Sequence, residues 1–264
     1  MTFRYYISII IRFSSSKWAD GEKRKKVCIM YEYVCKREYA PYREEAEKII
    51  RHAQQIMRRK YNTTFQYKLI GSANRHLVTK IKNGNRGYDF DYDLILQKSD
   101  LWENPGKLKH QFMSAFSEAV KGTPYKVPED STSCLTIKVV DKKNSKIIRS
   151  CDLAIIYYLD DEDTNAGYMY LKRRKNNGYS FEERKLSQNV DDKLEEILEY
   201  EQGWNMIKDE YLKIKNRNKD PHKKSFILYL ESIHNVYNHI NQYKEKERMR
   251  RAFIPLNSWY GFIR

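Results

Sequence analysis

Three carboxylates alternate along one short run of the chain: Asp89, Asp91 and Asp93 in "YDFDYDLIL". A period of two predicts a strand, whose successive side chains point to opposite faces. Phe90, Tyr92 and Leu94 then share one face and the three aspartates share the other. Same-face neighbours on a strand lie about 7 Å apart. At an effective dielectric near 20, each adjacent carboxylate pair repels by roughly 2.4 kcal/mol. Such a row either lies in water or holds a cation. Mg²⁺ suits the second case, because it takes hard oxygen ligands and often bridges carboxylates to substrate phosphates. Two further features bear on the choice. Gly71-Ser72 ends "FQYKLIGS", and a Gly-Ser turn opening a helix offers free N–H groups and a hydroxyl to a phosphate. Asp152 stands alone in the apolar strand pattern "RSCDLAIIYYL". A carboxylate there is costly unless it is paired, hydrogen-bonded or metal-bound. Its plainer role is an ion pair with Lys or Arg on a neighbouring strand.

Taken in order, Ile70-Gly71-Ser72, Asp89-Phe90-Asp91 and Asp152 resemble the signature of the DNA polymerase β-like nucleotidyltransferase superfamily. The resemblance covers roughly residues 65 to 158. The stretch "GYDFDYDLIL" after a Gly-rich loop is most similar to bacterial cyclic-oligonucleotide (cyclic GMP-AMP synthase-like) synthases. The resemblance implies that Asp89, Asp91 and Asp152 hold two Mg²⁺ ions, with Mn²⁺ as the alternative. One ion would bind a nucleoside triphosphate, and the other would acidify an acceptor hydroxyl and hold it in line. Ser72 and the Gly71 backbone would contact the terminal phosphates, with Arg75 a further phosphate-binding candidate. Asp152 would lie nearest the attacking hydroxyl. Arg75, Lys80, Lys82 and Arg86 line the same loop with charge that would steer a triphosphate, a solvated surface role being the plainer reading for any one of them. Three departures stand out. The loop from Ser72 to Asp89 is long, "GSANRHL" lacks a second glycine, and Asp93 is an extra carboxylate. Asp91 and Asp93 are therefore an alternative pair. Asp89 and Asp91 are preferred, since they lie nearer the loop and leave Tyr92 to Leu96 to anchor the strand.

The elements that must position these residues follow from pattern. "YREEAEKIIRHAQQIMRRKY", from Pro41 to about Lys60, has helical spacing at Ala46, Ile49, Ile50, Ala53 and Ile56. Asn104-Pro105 starts a helix through Val120. "CLTIKVV" and "KIIRSCDLAIIYYL" read as two strands joined at "DKKNSK", and "DDEDTNAG" closes that part as an acidic loop. "YMYLKRRKNNGYSFEER" reads as a second hairpin turning at Asn177-Gly178. Helices follow: Ser187 or Asn189 as a cap for Val190 to Leu198, a second after Gly203, and a long third with Asp220 as N-cap and Pro221 at its first position. The order predicts an α+β fold, a polymerase β-like core with a mixed sheet plus a C-terminal helical domain. The expected divisions are an N-terminal segment packing on the core (1–40), the catalytic core (41–160) and a mostly helical domain (161–264).

Composition narrows the partners. The chain has 264 residues, a net charge of +15, 22 Tyr and 10 Phe. This is enough apolar and aromatic material for a core, and a field that attracts polyanions. RNA such as tRNA is one expected acceptor, through phosphate contact and stacking; a second nucleotide is the other. The rival class is a non-catalytic nucleic-acid-binding protein with a transferase-like fold. Cys28, Cys35, Cys134 and Cys151 form no CxxC pair, so a reduced, cytoplasmic protein is expected. "YYISIIIRF" is too short to span a bilayer, and no membrane partner is expected. Phosphate-loop, dinucleotide, zinc-protease and serine-hydrolase signatures are absent from the sequence. Arg217 and His222 have the spacing of HEPN-type ribonucleases, but read first as a basic loop. His234 and His239 read as structural.

Overall fold

The computed structural model describes residues 30–82, 87–144, 146–159, 167–184, 188–220 and 222–252. Helix α1 (Lys36–Tyr61) buries Ala46, Ile49, Ile50, Ala53, Ile56 and Met57 along one stripe. It begins five residues before Pro41, which lies inside it. Asn62 ends it in the left-handed conformation, after a basic last turn that suits the negative end of the helix dipole. Strand β1 (Tyr31–Tyr33) precedes α1 and pairs with β3 (Thr79–Ile81) as a two-stranded ribbon.

The main sheet is built from β2 (Thr64–Ile70), β4 (Tyr88–Lys98), β5 (Glu129–Asp130), β6 (Leu135–Asp141) and β7 (Lys146–Tyr158), in the order β2-β4-β7-β6-β5. The β4–β7 pair is parallel and its neighbours are antiparallel, so the sheet is mixed. Between β2 and β3 runs a single turn of helix, α2 (Gly71–Asn74). Helix α3 (Pro105–Ala119) starts as its sequence predicts: Asn104 accepts the Lys107 N–H at 3.0 Å and proline takes the first turn.

One face of the sheet carries the core. Phe90, Tyr92 and Leu94 of β4 are buried there together with Leu135, Ile137, Leu153 and Ile155. The stripes of α1 and α3 join them in one cluster, and Phe65 meets Phe112 at 5.1 Å. Burying that face fixes the register of β4, because a one-residue slip would turn its aspartates inward.

Strands β8 (Tyr168–Arg173) and β9 (Tyr179–Arg184) form the hairpin expected from Asn177-Gly178, with Asn177 at φ 61°. The hairpin pairs onto β7 at Ile156–Tyr158. The sheet thus continues past residue 160, and the helical part opens with α4 (Gln188–Leu198), followed by α5 (Gly203–Arg217) and α6 (Ser225–Ala252). Its own cluster holds Ile197, Ile207, Tyr211, Leu228, Tyr229 and Ile233, with Leu77 inserted from the segment after α2. The ribbon ties on as well, through Tyr31 N to Asn216 Oδ1 (2.6 Å) and Tyr33 Oη to Lys208 O (2.7 Å).

The start of α6 corrects the sequence reading. Asp220 Oδ1 accepts the His222 N–H at 2.8 Å, a local turn that competes with capping, and the helix begins at Ser225. Pro221, the run Tyr5 to Phe13, the acidic residues 160–166, Arg86 and Ser187 lie outside the described residues. Among the described residues no helix is long and apolar enough to cross a membrane.

Candidate active site

The parallel register of β4 on β7 sets Asp91 beside Asp152, Asp89 beside Ser150 and Asp93 beside Ala154. On the far side of β7, Thr136 of β6 lies opposite Asp152. Asp91 and Asp152 are therefore lateral neighbours about one strand spacing (~4.8 Å) apart on the same face, with Asp89 one step along. That face is the one turned away from the core.

The electrostatics of the row are uneven. Burial first, then Asp152, Asp89 and Asp93 in that order, push the Asp91 carboxyl up from 3.8 to about 6, and only Arg75 opposes them. Burial also raises Asp152, while the Thr136 hydroxyl, donating at 2.6 Å, holds it down and Asp89 pushes it up again. Asp89 is exposed and accepts the Ser150 hydroxyl. Asp93 is raised to about 6 by burial, but Lys68 and Arg184 both counter the shift. Lys68 lies directly across from it on β2. Asp93 thus faces two cations, whereas Asp91 faces three carboxylates against Arg75 alone, and Asp152 faces Asp89 against Lys138 and the Thr136 hydroxyl.

Gly71 sits where β2 hands over to α2, one position from Asp91, since Ile70 and Asp91 are in register. Its φ is +66°, and a Cβ there would stand 2.2 Å from Asp91 Oδ2. The backbone angle favours glycine, and a side chain there would have to push the Asp91 carboxylate aside. Ser72 follows in the same turn, its carbonyl accepting the Leu77 N–H at 2.8 Å. Arg75 donates from Nη1 to the Gly71 carbonyl at 3.1 Å. The other loop cations stand differently: Lys80 pairs with Glu38 at 3.1 Å and Glu32 at 3.8 Å, and Lys82 is exposed.

The structure therefore brings Gly71, Ser72, Arg75, Asp89, Asp91 and Asp152 to one patch. It leaves Arg217 at the end of α5 and His222 in the following turn, and His234 on α6 against Lys193 and Asn238. Thr136 and Ser150 were missed by sequence reading. The alternation of "LTIKVV" puts Thr136 on the polar face of β6, so strand parity was the available signal.

Among the described residues no three His, Cys, Asp or Glu side chains stand at metal-ligand spacing; Asp89 and Asp152 are turned onto the Ser150 and Thr136 hydroxyls. The donor set still fits a hard divalent cation. It is all oxygen, and after burial its own negative charge is what raises the proton affinity of Asp91, which Arg75 offsets only in part.

A mixed sheet with α1 and α3 on one face, a glycine turn after β2 and a parallel β4–β7 pair is the polymerase β-like nucleotidyltransferase fold. Three solved structures share it. The DncV cyclic AMP-GMP synthase of Vibrio cholerae, described as a prokaryotic cGAS homolog, matches 77% of this chain and 68% of its own at a TM-score of 0.55 and 9% identity. Its complex with the linear intermediate 5′ pppA(3′,5′)pG matches 77% of this chain and 68% of its own at 0.53 and 10% identity. The STING-associated CdnE c-di-GMP synthase of Capnocytophaga granulosa matches 76% of this chain at 0.52 and 19% identity, and the alignment spans 60% of that longer protein. No protein-family model matches the sequence, and no curated protein does.

Proposed function

We propose that the protein is a nucleotidyltransferase that moves a nucleotide from a nucleoside triphosphate to the hydroxyl of a second nucleotide, releasing pyrophosphate and yielding a linear or cyclic oligonucleotide. The observation that carries this reading is the lateral pair Asp91–Asp152, with Asp89 one step along, set against a turn whose glycine lies against the Asp91 carboxylate. The second-nucleotide acceptor is favoured by the DncV fold relative solved with a dinucleotide intermediate.

Asp89, Asp91 and Asp152 are the residues that would hold Mg²⁺, or Mn²⁺ in its place. A divalent cation there neutralises phosphate charge and acidifies the acceptor hydroxyl. The chain's own groups do the rest. Ser72 and the amides that follow Gly71 bind the terminal phosphates, and Arg75 adds positive charge beside them. The Thr136 hydroxyl fixes the rotamer of Asp152 through its 2.6 Å bond. Asp152 then orients the attacking hydroxyl, and its raised proton affinity suits it to accept the proton.

The test incubates the protein with each labelled nucleoside triphosphate and Mg²⁺, with and without total tRNA. Small labelled products are expected. Label in tRNA would transfer the acceptor assignment to RNA, the partner the net charge of +15 favours. If wild type makes no product from any nucleotide, or Asp91→Ala works as well, the protein falls to the non-catalytic nucleic-acid-binding class.

A further inference from the structure

Arg75 has an unusual environment for a surface arginine. Among the described residues no carboxylate lies within ion-pair distance of it. Its guanidinium stands 4.7 Å from the centre of the Tyr229 ring and 5.8 Å from that of Phe226. Both rings belong to the first turns of α6, and they stand 6.4 Å from each other. The third support is the Gly71 carbonyl at 3.1 Å.

The two rings differ in exposure. Tyr229 is 6% exposed and belongs to the helical core; Phe226 is 53% exposed. Phe226 adds little to the helical core, and its contact here is with the Arg75 guanidinium. Aromatic faces hold a guanidinium in place without neutralising it, which a carboxylate would do. An arginine kept in this way retains its charge, and the donors not used on the Gly71 carbonyl and the Tyr229 hydroxyl stay available for an incoming anion. The anion's side is defined by the turn: Gly71 and Ser72 lie directly beside it.

We propose that Phe226 and Tyr229 are positioning residues for the nucleotide site. They form an aromatic clamp by which α6 holds Arg75 over the phosphate-binding turn, so that the site selects triphosphates over monophosphates. The inference rests on the nucleotidyltransferase reading and names how the helical part serves it. The helical unit then acts on the nucleotide through Arg75, a side chain of the segment that follows β2, and does not need phosphate ligands of its own.

The experiment measures dissociation constants by calorimetry for a non-hydrolysable ATP analogue and for AMP with Mg²⁺, on wild type and on Phe226→Leu, Tyr229→Leu, Tyr229→Phe and Arg75→Ala. Losing one ring should weaken the triphosphate analogue about ten-fold, which is about 1.4 kcal/mol. AMP binding should change less than about two-fold, since it lacks the groups Arg75 reads. Tyr229→Phe keeps the ring but loses the hydroxyl that accepts from Arg75, so it should weaken the analogue less than Tyr229→Leu does. Phe226→Leu lies at an exposed position and tests the clamp without disturbing the core. In Arg75→Ala a further ring substitution should have no effect on the analogue. Equal loss for the analogue and AMP, a loss in Tyr229→Phe as large as in Tyr229→Leu, or no loss in Phe226→Leu would each overturn the clamp. If wild type binds neither nucleotide, the nucleotidyltransferase reading fails instead, and the two failures are distinct.

Discussion

Replacing Asp91 with asparagine should stabilise the metal-free protein while abolishing transfer. The Asp91 carboxyl is moved from 3.8 to about 6 by burial and by its three carboxylate neighbours. A displacement of that size corresponds to roughly 2–3 kcal/mol of folding free energy. Below 3.8 the group is protonated in both the folded and unfolded states and costs nothing. Between 3.8 and about 6 the folded state binds more protons than the unfolded state, so stability falls as pH rises. Above about 6 the whole penalty is present. Asp91→Asn removes it, and for a chain of this size the melting temperature in EDTA at pH 8 should rise by roughly 5–10 °C. At pH 3.5 the gain should vanish. Adding Mg²⁺ at pH 8 should raise the melting temperature of wild type and leave the variant unchanged. The measurement is thermal unfolding by circular dichroism across pH 3.5 to 8, with and without EDTA. A variant no more stable than wild type at pH 8, or equally more stable at pH 3.5, would refute the argument that uncompensated charge sets the behaviour of this row.

The other residues of the site make separate predictions. Gly71→Ala forces a side chain into φ +66° and against Asp91 Oδ2; it should cost roughly 1–3 kcal/mol of stability and lose transfer activity, checked by chemical denaturation and product assay. Thr136→Val deletes the 2.6 Å hydrogen bond that lowers the Asp152 carboxyl, so the acid limb of the pH–rate profile should move to higher pH while the fold is kept. Asp89→Asn should reduce transfer by roughly 100-fold or more, since a lost metal ligand costs several kcal/mol in the transition state. Asp93→Asn, by contrast, should retain activity within about ten-fold; the reverse ranking in steady-state assays would give the metal to Asp91 and Asp93.

What the sequence makes legible is local and periodic. The two-residue alternation around Asp91, the stripes of α1 and α3, the Asn104-Pro105 start and the Asn177-Gly178 turn all depend on residues within a few positions of one another, and all appear where the pattern puts them. The register that sets Asp91 beside Asp152 is different in kind. It is fixed by burying Phe90 and Leu94 under α1 and α3, a condition no local pattern states. The same holds for the β8–β9 hairpin, whose turn is visible but whose attachment to β7 is not. At Asp220 the local rule misled: a good capping residue was spent on the His222 N–H instead. Tyr229 shows the limit most clearly. No sequence pattern singles it out, yet it is buried in the helical core and its ring also meets Arg75. Asp93 was set aside on sequence grounds for lying farther from the Gly71 loop. The structure supplies a separate physical reason, because Lys68 and Arg184 reach it from strands on either side of β4 in the chain. A carboxylate already facing two cations gains less from a metal than one facing carboxylates. The charge balance of the row, more than its spacing, therefore favours Asp91 over Asp93 in the proposed set.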